Sequence, residues 1–196
     1  MKKFLSLVVV VLTILTGCTT TKVSRISEDK KIDLSGNWND TDITIVSNDM
    51  IDDCLHGKWL KLDTVGKKPV VVIGEIENRS SEHIDTTIVG KKLESALVGS
   101  GKVVTVNDFE KRGTLEAERA YQAKNASAAT AKASGNETGA DYILLGSVST
   151  NIDQQGKQSV RTYYVDLELV DIASGEKVWM NEKTIKKFIQ KDHYKF

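Results

Sequence analysis

The most specific chemistry in this 196-residue sequence belongs to a thiol, that of Cys18. Cys18 closes the tetrapeptide Leu15-Thr16-Gly17-Cys18, after a basic start and a 12-residue apolar run, Phe4–Leu15. The run is shorter than the ~20 residues of a membrane-spanning helix and fits the apolar region of a signal peptide. In a bacterial lipobox, small residues fit the narrow peptidase site and the cysteine thiol accepts a diacylglyceryl lipid. The sequence therefore predicts a lipoprotein signal peptide over residues 1–17 and a lipid anchor on Cys18.

Thr19 and the polar segment that follows it set the expected location and reach. An Asp after the lipidated cysteine commonly marks inner-membrane retention in Gram-negative enteric bacteria, so Thr19 favours the outer membrane, with the domain facing the periplasm. Residues 18–33 comprise Cys18 and a polar stretch without hydrophobic periodicity, which predicts a flexible tether. Such a tether spans ~20 Å on average and ~50 Å when fully extended. We therefore expect the globular domain, residues 34–196, to stay within a few nanometres of its membrane.

The remaining reactive side chains form no catalytic or metal-binding pattern. His56, His83 and His193 lie far apart, without an H-x-x-x-H or C-x-x-C partner, so no metal site, catalytic residue or cofactor is predicted. The second cysteine, Cys54, is expected to be a buried, small apolar residue on a helix face. Basic and acidic side chains number 27 each, and this balance gives no basic excess for binding nucleic acid.

Neighbouring carboxylates have a structural interpretation as well. Asp52 and Asp53 are adjacent on a predicted helix, where neighbours point about 100° apart and do not converge on one group. Asp166 and Glu168 alternate with apolar residues along a predicted strand, which is typical of a water-facing sheet surface. Neither pair predicts acid–base chemistry.

One polar loop, Asn78–His83, is the candidate contact site. It follows a buried strand and precedes the N-terminus of a helix, where backbone N–H groups favour an anion, and Arg79 adds positive charge. Three interpretations stay open: local capping of the chain, contact with a partner protein, and binding of a small anion. The candidate partner-binding residues are Asn78, Arg79, Ser80, Ser81 and Glu82.

The elements that position this loop follow from hydrophobic periodicity and capping residues. Asn39 has the features of an N-cap, with Asp42 at the capping-box position, and Gly57 ends the helix that follows. A buried strand begins at Pro69, and Asp85 can cap a second helix. The sequence further predicts a short strand, a charged surface helix, and an alanine-rich stretch expected to pack closely on a sheet, at 103–106, 108–125 and 126–138.

The C-terminal half predicts three strands, which begin at Tyr142, Tyr163 and Lys177. Hairpins near Asp153–Lys157 and Ala173–Gly175 make these strands antiparallel. The helices lie mainly before them in the chain. Together the elements predict a single α+β domain, a mainly antiparallel sheet flanked by helices.

Several stretches resemble the penicillin-binding protein activator lipoproteins of the LpoB-like family. The L-S-G-x-W-N-D-T-D and N-R-S-S-E-H-I stretches are fairly specific, and the G-A-D-Y strand entry is looser. The chain also looks like curli-secretion lipoproteins and the N-terminal domain of TolB, which have related folds. Six blocks carry the resemblance and together cover essentially the whole mature domain: Asp33–Asp42, Ile51–Leu55, Lys68–Gly74, Asn78–Ile84, Thr138–Tyr142 and Ser174–Trp179.

The resemblance implies a TolB N-terminal-domain-like sheet with helices and no enzymatic activity. It also implies a partner: a bifunctional penicillin-binding protein, a peptidoglycan synthase that such lipoproteins bind and activate allosterically. The studied members carry a long proline-rich tether, whereas residues 18–33 are few and contain no proline. No docking residues are carried over from the family, and the oligomeric state is left open.

An alternative function is envelope assembly or secretion, of the curli-export or flagellar outer-ring kind. The segments near 142–152 and 158–170 have the length of membrane-crossing strands, ~9–11 residues, although their pattern favours core hairpins. An enzyme acting on peptidoglycan is the least favoured class, because the sequence contains no catalytic constellation.

Overall fold

A computed structural model describes residues 21–28, 30–61 and 66–191. The predicted signal peptide, Cys18 and His193 lie outside the described residues. The chain divides into two compact units, Met1–Ile32 and Asp33–Phe196. The described residues of the first unit contain no helix or strand, and every described element belongs to the second.

The second unit contains three helices and five strands in its described part. The helices are α1 (Asp40–His56), α2 (Thr86–Ser100) and α3 (Phe109–Asn125), with a short 3-10 helix at Lys58–Lys61. The strands are β1 (Val70–Arg79), β2 (Val104–Val106), β3 (Tyr142–Gln155), β4 (Gln158–Asp171) and β5 (Lys177–Gln190).

The strands form one mixed sheet in the order β2-β1-β3-β4-β5. β1 pairs in parallel with both β2 and β3, whereas β3, β4 and β5 pair antiparallel. The β3–β4 hairpin has a two-residue turn in which Gly156 has a φ of 59°, a conformation that glycine adopts without steric cost. The predicted α+β domain is confirmed, and the predicted core hairpins form the long strands of its sheet.

The helix ends lie where the sequence predicts them. The Asn39 side chain accepts hydrogen bonds from the N–H groups of Thr41 and Asp42, and the Asp42 carboxylate accepts one from the Asn39 N–H. This reciprocal capping box satisfies N–H groups that the first turn of α1 leaves free. Asp85 caps α2 in the same manner, through the Thr87 N–H.

The hydrophobic core lies between one face of the sheet and helices α1 and α2. Val148, Val165 and Leu167 supply its sheet side, and Val46 and Val89 supply its helix side; none of the five is more than 1% exposed. The opposite face of β4 is half-buried at most positions, which confirms the alternation predicted around Asp166. Cys54 is a free cysteine that is 4% exposed on α1, also as predicted.

Two sequence expectations are wrong in detail. The alanine-rich stretch 126–138 does not pack on the sheet: it consists of turns and coil and is exposed at nearly every position. Strand β1 continues to Arg79, so Asn78 and Arg79 belong to the strand, and the connection to α2 begins only at Ser80. Pairing with β3 explains this extension, because Asn78 and Arg79 oppose Val148 and Ser149.

Candidate functional site

Glu82 is the centre of the candidate loop, and its carboxylate points into the domain. Its Oε1 atom accepts hydrogen bonds from the Arg161 guanidinium and the Tyr163 hydroxyl, both at 2.6 Å. Its Oε2 atom accepts one from the backbone N–H of Trp38 at 3.0 Å. The side chains of Glu82 and Arg161 are 15% and 19% exposed, so water screens this ion pair only partly. Glu82 therefore ties β4 to the segment that enters α1.

Lys187 of β5 binds the segment that leads into α1. The Lys187 ammonium group contacts the carboxylates of Asp33 and Asp42, at 3.2 and 2.6 Å, and the Asn37 carbonyl oxygen at 3.0 Å. Hydrogen bonds from Asn39 and Lys187 lower the pKa of Asp33 below its usual range. The Lys187 side chain is 13% exposed, and two carboxylates and one carbonyl oxygen satisfy the three N–H donors of its ammonium group.

An aromatic pair packs beside these charges. The rings of Trp38 and Tyr163 meet edge to face, with centroids 5.3 Å apart. The Tyr163 hydroxyl also lies 3.0 Å from the Gly36 carbonyl oxygen, and burial and the adjacent Glu82 carboxylate raise its pKa. We name Asp33, Trp38, Glu82, Arg161, Tyr163 and Lys187 the entry cluster.

The rest of the loop mostly bonds to itself. The Asn78 amide group donates to the Glu82 carbonyl oxygen at 2.8 Å and accepts from the Ser80 N–H and hydroxyl. The Ser81 N–H donates to the Thr150 hydroxyl of β3. Arg79 is exposed and pairs with Glu77 at 2.7 Å. Local capping thus accounts for Asn78 and Ser80, and contacts inside the domain account for the Glu82 carboxylate, which leaves Arg79 and Ser81 as the candidate residues that are exposed to a partner.

A helix N-terminus at this loop offers little to a small anion. The first turn of α2 is already capped by the Asp85 carboxylate. A groove of about 630 Å³ lies alongside, between the second half of β1, α2 and the start of α3. Its lysines, Lys91 and Lys111, are paired with the carboxylates of Glu94 and Asp108. The charges that could hold an anion here are therefore neutralised by the chain itself.

The six blocks that carry the family resemblance meet in three pairs. The 33–42 and 78–84 blocks meet where Glu82 accepts from Trp38. The 51–55 and 174–179 blocks meet where the Trp179 indole N–H donates to Asp53 at 2.8 Å. The 68–74 and 138–142 blocks meet where the Val70 N–H donates to the Asp141 carboxylate at 2.8 Å. Each pair joins segments that are distant in the chain, so these blocks hold the fold together.

Sequence reasoning missed Arg161 and Lys187, although a signal for them exists. Both occupy inner-face positions, since Arg161 continues the alternation of Tyr163 and Val165, and Lys187 continues that of Ile185. A charged side chain on an apolar face predicts a buried partner of opposite charge. The sequence does not indicate which acids those partners are.

The site contains groups for binding and positioning. Among the described residues, no cluster of three or more His, Cys, Asp or Glu side chains could hold a metal ion. No helix in the described part of the chain is long and apolar enough to cross a membrane. The Asp52–Asp53 pair diverges as expected, with Asp52 exposed beside His56 and Asp53 turned to Trp179.

Comparison with known proteins decides the family. A family model described as the peptidoglycan-synthase activator LpoB matches residues 42–185 of the chain. The chain belongs to this LpoB family. The matched range contains Glu82, Arg161 and Tyr163 of the entry cluster and the whole sheet core, but not Asp33, Trp38 or Lys187. Membership supports an activator role in periplasmic peptidoglycan synthesis, with a synthase as partner, rather than an enzymatic one.

Solved LpoB structures are similar to this chain. The LpoB C-terminal domain from Salmonella enterica is 18% identical, with a TM-score of 0.48, and the match covers 74% of this chain and 99% of that one. The C-terminal domain from Escherichia coli LpoB is 18% identical, with a TM-score of 0.45 and coverage of 72% and 96%. The NMR structure of Escherichia coli LpoB is 15% identical, with a TM-score of 0.43 and coverage of 90% and 86%. No curated protein matches the chain.

Proposed function

We propose that this LpoB-family chain is a membrane-anchored periplasmic lipoprotein that binds a bifunctional penicillin-binding protein and activates it allosterically. The observation that carries the proposal is the family match over residues 42–185. The chain contributes contact surface and no catalytic group: the glycan-polymerising and cross-linking chemistry belongs to the synthase. Activation requires only that the lipoprotein bind an active state of the synthase more tightly than an inactive one, by a few kcal/mol.

The anchor is proposed to be a lipid on Cys18 in the outer membrane. Its support is the tetrapeptide Leu15-Thr16-Gly17-Cys18 behind an apolar run, and Thr19 at the sorting position. Labelling cells with a radioactive or clickable fatty acid tests the anchor directly. The wild-type chain should be labelled, and Cys18→Ala should abolish the label. Continued labelling of Cys18→Ala would refute this anchor.

The partner contact is proposed to be the loop 78–82, presented by Arg79 and Ser81. Asn78, Ser80 and Glu82 shape the loop from within, as their hydrogen bonds indicate. Arg79 is the best single probe because it is exposed and, within the described part of the chain, forms an ion pair only with Glu77 of the same strand. Exposed ion pairs contribute less than about 1 kcal/mol to stability, so its substitution leaves the fold intact.

The decisive experiment measures binding and activity together. The mature chain without its lipid, residues 19–196, is tested for binding to the penicillin-binding proteins of its own organism, and then for stimulation of glycan polymerisation. Arg79→Glu should weaken binding about tenfold without lowering the melting temperature. Arg112→Glu on α3, the same charge change at another exposed position, is the matched control and should do neither.

Two results would contradict these proposals. Absence of both binding and stimulation for the wild-type chain would refute the activator function. Unchanged affinity of Arg79→Glu would reduce the loop to a structural role. The short tether gives a further check: lengthening residues 19–32 with a flexible insert should preserve or increase activation in cells, since it extends a reach of ~50 Å.

A further inference from the structure

Strand β5 is an edge of the sheet, and one of its sides is open. It pairs with β4 along its length and has no strand on its other side in the described part of the chain. From Met180 to Gln190 every even-numbered residue is exposed and every odd-numbered residue is half-buried. The Glu182 N–H donates to the side-chain oxygen of Asn181 at 2.8 Å, and not to β4. Since alternate residues of an antiparallel strand bond to opposite neighbours, the even-numbered N–H and C=O groups point to the open edge.

The exposed side chains of this edge have a self-complementary order. They are Met180, Glu182, Thr184, Lys186 and Phe188: apolar, acidic, polar, basic and apolar. Met180 and Phe188 are 60% and 62% exposed, among the largest exposed fractions for apolar side chains in the described domain. When the order is reversed about Thr184, apolar residues match apolar residues and the acid matches the base.

We propose that this edge binds the same edge of a second copy of the chain, antiparallel, about a twofold axis through Thr184. The two Thr184 residues then face each other, Glu182 faces Lys186 of the second copy, and Met180 faces Phe188 of the second copy. The twofold axis repeats the Glu182–Lys186 pair and the Met180–Phe188 pair, so each of them occurs twice. The two five-stranded sheets become one continuous sheet, joined by about ten backbone hydrogen bonds from the five facing pairs.

The backbone geometry selects the allowed registers, and the side chains select one of them. Even-numbered residues must face even-numbered residues, in the hydrogen-bonded pairs, because their N–H and C=O groups point across the edge. A shift by two residues places Glu182 against Thr184 and Met180 against Lys186. A shift in the other direction places Glu182 against Phe188. The register about Thr184 alone joins both charge pairs and both apolar pairs.

The charges of the single domain fit this pairing. Glu182 lies directly opposite Asp166 of β4, a like-charge neighbour, and burial together with Glu182 raises the pKa of Asp166. Among the described residues, neither Glu182 nor Lys186 has a partner of opposite charge within ion-pair distance. A second copy supplies each with that partner.

Lysines commonly protect an edge strand from such pairing; here Lys186 takes part in the proposed pairing, and two other lysines of β5 are engaged elsewhere. Lys183 pairs with Asp49, and Lys187 pairs with Asp33 and Asp42 of the entry cluster and α1. Both lie on the helix-covered face, away from the five exposed side chains. One bond must be exchanged: the Glu182 N–H leaves the Asn181 side chain for the Lys186 carbonyl oxygen of the second copy. A facing strand provides an equivalent acceptor, so this exchange costs little.

Cysteine cross-linking of the full chain in cell membranes tests the pairing and its register. Thr184→Cys places two thiols on residues whose Cα atoms are about 5.5 Å apart, within reach of a disulfide. Met180→Cys alone places its thiols about 27 Å apart, because residue 180 faces residue 188. The double variant Met180→Cys, Phe188→Cys places residue 180 of each copy opposite residue 188 of the other, so that one pair of thiols meets at each end of the paired strands. Native Cys54 is 4% exposed and does not interfere.

The expected result is an oxidised dimer for Thr184→Cys and for the Met180→Cys, Phe188→Cys pair, and none for Met180→Cys alone. Val98→Cys is the control for random collision, since Val98 is 55% exposed on α2. Equal cross-linking of Val98→Cys or of Met180→Cys would overturn the proposal, and so would the absence of a Thr184→Cys dimer.

A charge swap in the Thr184→Cys chain tests the Glu182–Lys186 pairs. Glu182→Lys, or Lys186→Glu, makes like charges face each other twice, and each should reduce dimer formation about tenfold. The two substitutions together restore opposite charges and should restore the dimer. Circular dichroism should show the same fold for all three. Failure of the combined substitution to recover, or indifference to the single ones, would overturn the pairing.

Discussion

Replacing Glu82 by alanine should destabilise the domain more than any exposed acid does. The substitution removes the acceptor of three hydrogen bonds, from Trp38, Arg161 and Tyr163. The Tyr163 hydroxyl keeps the Gly36 carbonyl oxygen as an acceptor, so most of the loss falls on the other two donors. Arg161 keeps only the Asn37 amide oxygen among its described partners, and its Nε atom is already buried without a partner.

The magnitude follows from the burial of this ion pair. Removing one partner of a buried charge pair costs about 3–5 kcal/mol, because the other charge stays desolvated. The Arg161 side chain is 19% exposed, so the lower end, about 3 kcal/mol, applies here. For a domain of this size, about 2–4 °C are lost per kcal/mol, and the melting temperature should therefore fall by about 6–12 °C. Glu82→Gln keeps an oxygen acceptor and should lose about half as much.

Urea and thermal unfolding of the mature, unlipidated chain measure this effect. Glu116→Ala on α3 is the matched control, because Glu116 is exposed and has no ion pair in the described part of the chain. It should change stability by less than about 0.5 kcal/mol. A cycle with Arg161→Met should show coupling of about 1–3 kcal/mol between the two sites. A loss for Glu82→Ala no larger than that of the control, or additive effects in the cycle, would refute the entry cluster as a stabilising contact.

Two further predictions test the core. Gly146→Ala should destabilise the domain by about 3 kcal/mol in urea unfolding, because its Cβ would lie 2.5 Å from the Asp166 carbonyl oxygen of the neighbouring strand. Gly113→Ala is the matched variant: its Cβ would meet open space in α3, so it should stabilise the domain by about 0.5–1 kcal/mol. Burial raises the pKa of the Cys54 thiol to about 12, so an alkylating reagent at neutral pH should modify it only after unfolding. Because the pKa of the Cys54 thiol is higher in the folded than in the unfolded chain, its contribution to the free energy of unfolding is complete below the unfolded pKa of about 8.5 and is lost as pH rises toward 12. In Cys54→Ala, the free energy of unfolding should therefore fall less steeply over this pH range, by up to about 1.4 kcal/mol per pH unit. Equal losses for the two glycine variants, or rapid alkylation of the folded chain, would contradict these assignments.

Much of the fold could be predicted from local signals, because those signals act over a few residues. Asn39 and Asp85 start helices where the sequence places them, since a cap requires only its own side chain and the next turn. The β3–β4 hairpin follows from alternation and a glycine. The failure at 126–138 has the same origin, because alanine content indicates that close packing is allowed and not that a sheet is present to receive it.

The candidate loop shows where local reasoning ends. The sequence indicates a polar segment there, but it cannot show which of its side chains point inward. Sequence reasoning groups Glu82 with Arg79 as a surface contact, whereas the Glu82 carboxylate faces Arg161 and Tyr163, 79 and 81 residues further along the chain. Only the tertiary contacts between the loop and β4 separate the two roles.

By itself, the sequence determined most of the secondary structure, the α+β class, the buried Cys54 and the expectation of a lipid anchor at Cys18, because each depends on residue type and short spacing. The tertiary structure decided which distant residues meet. It brought the six blocks that carry the family resemblance together in pairs, and it placed Lys187 in ion pairs with Asp33 and Asp42. It also left the far side of β5 without a neighbouring strand among the residues that the structure describes. The physical reason is that pairing across a sheet depends on strand order and register, and these are set by burial of the whole core rather than by any one segment.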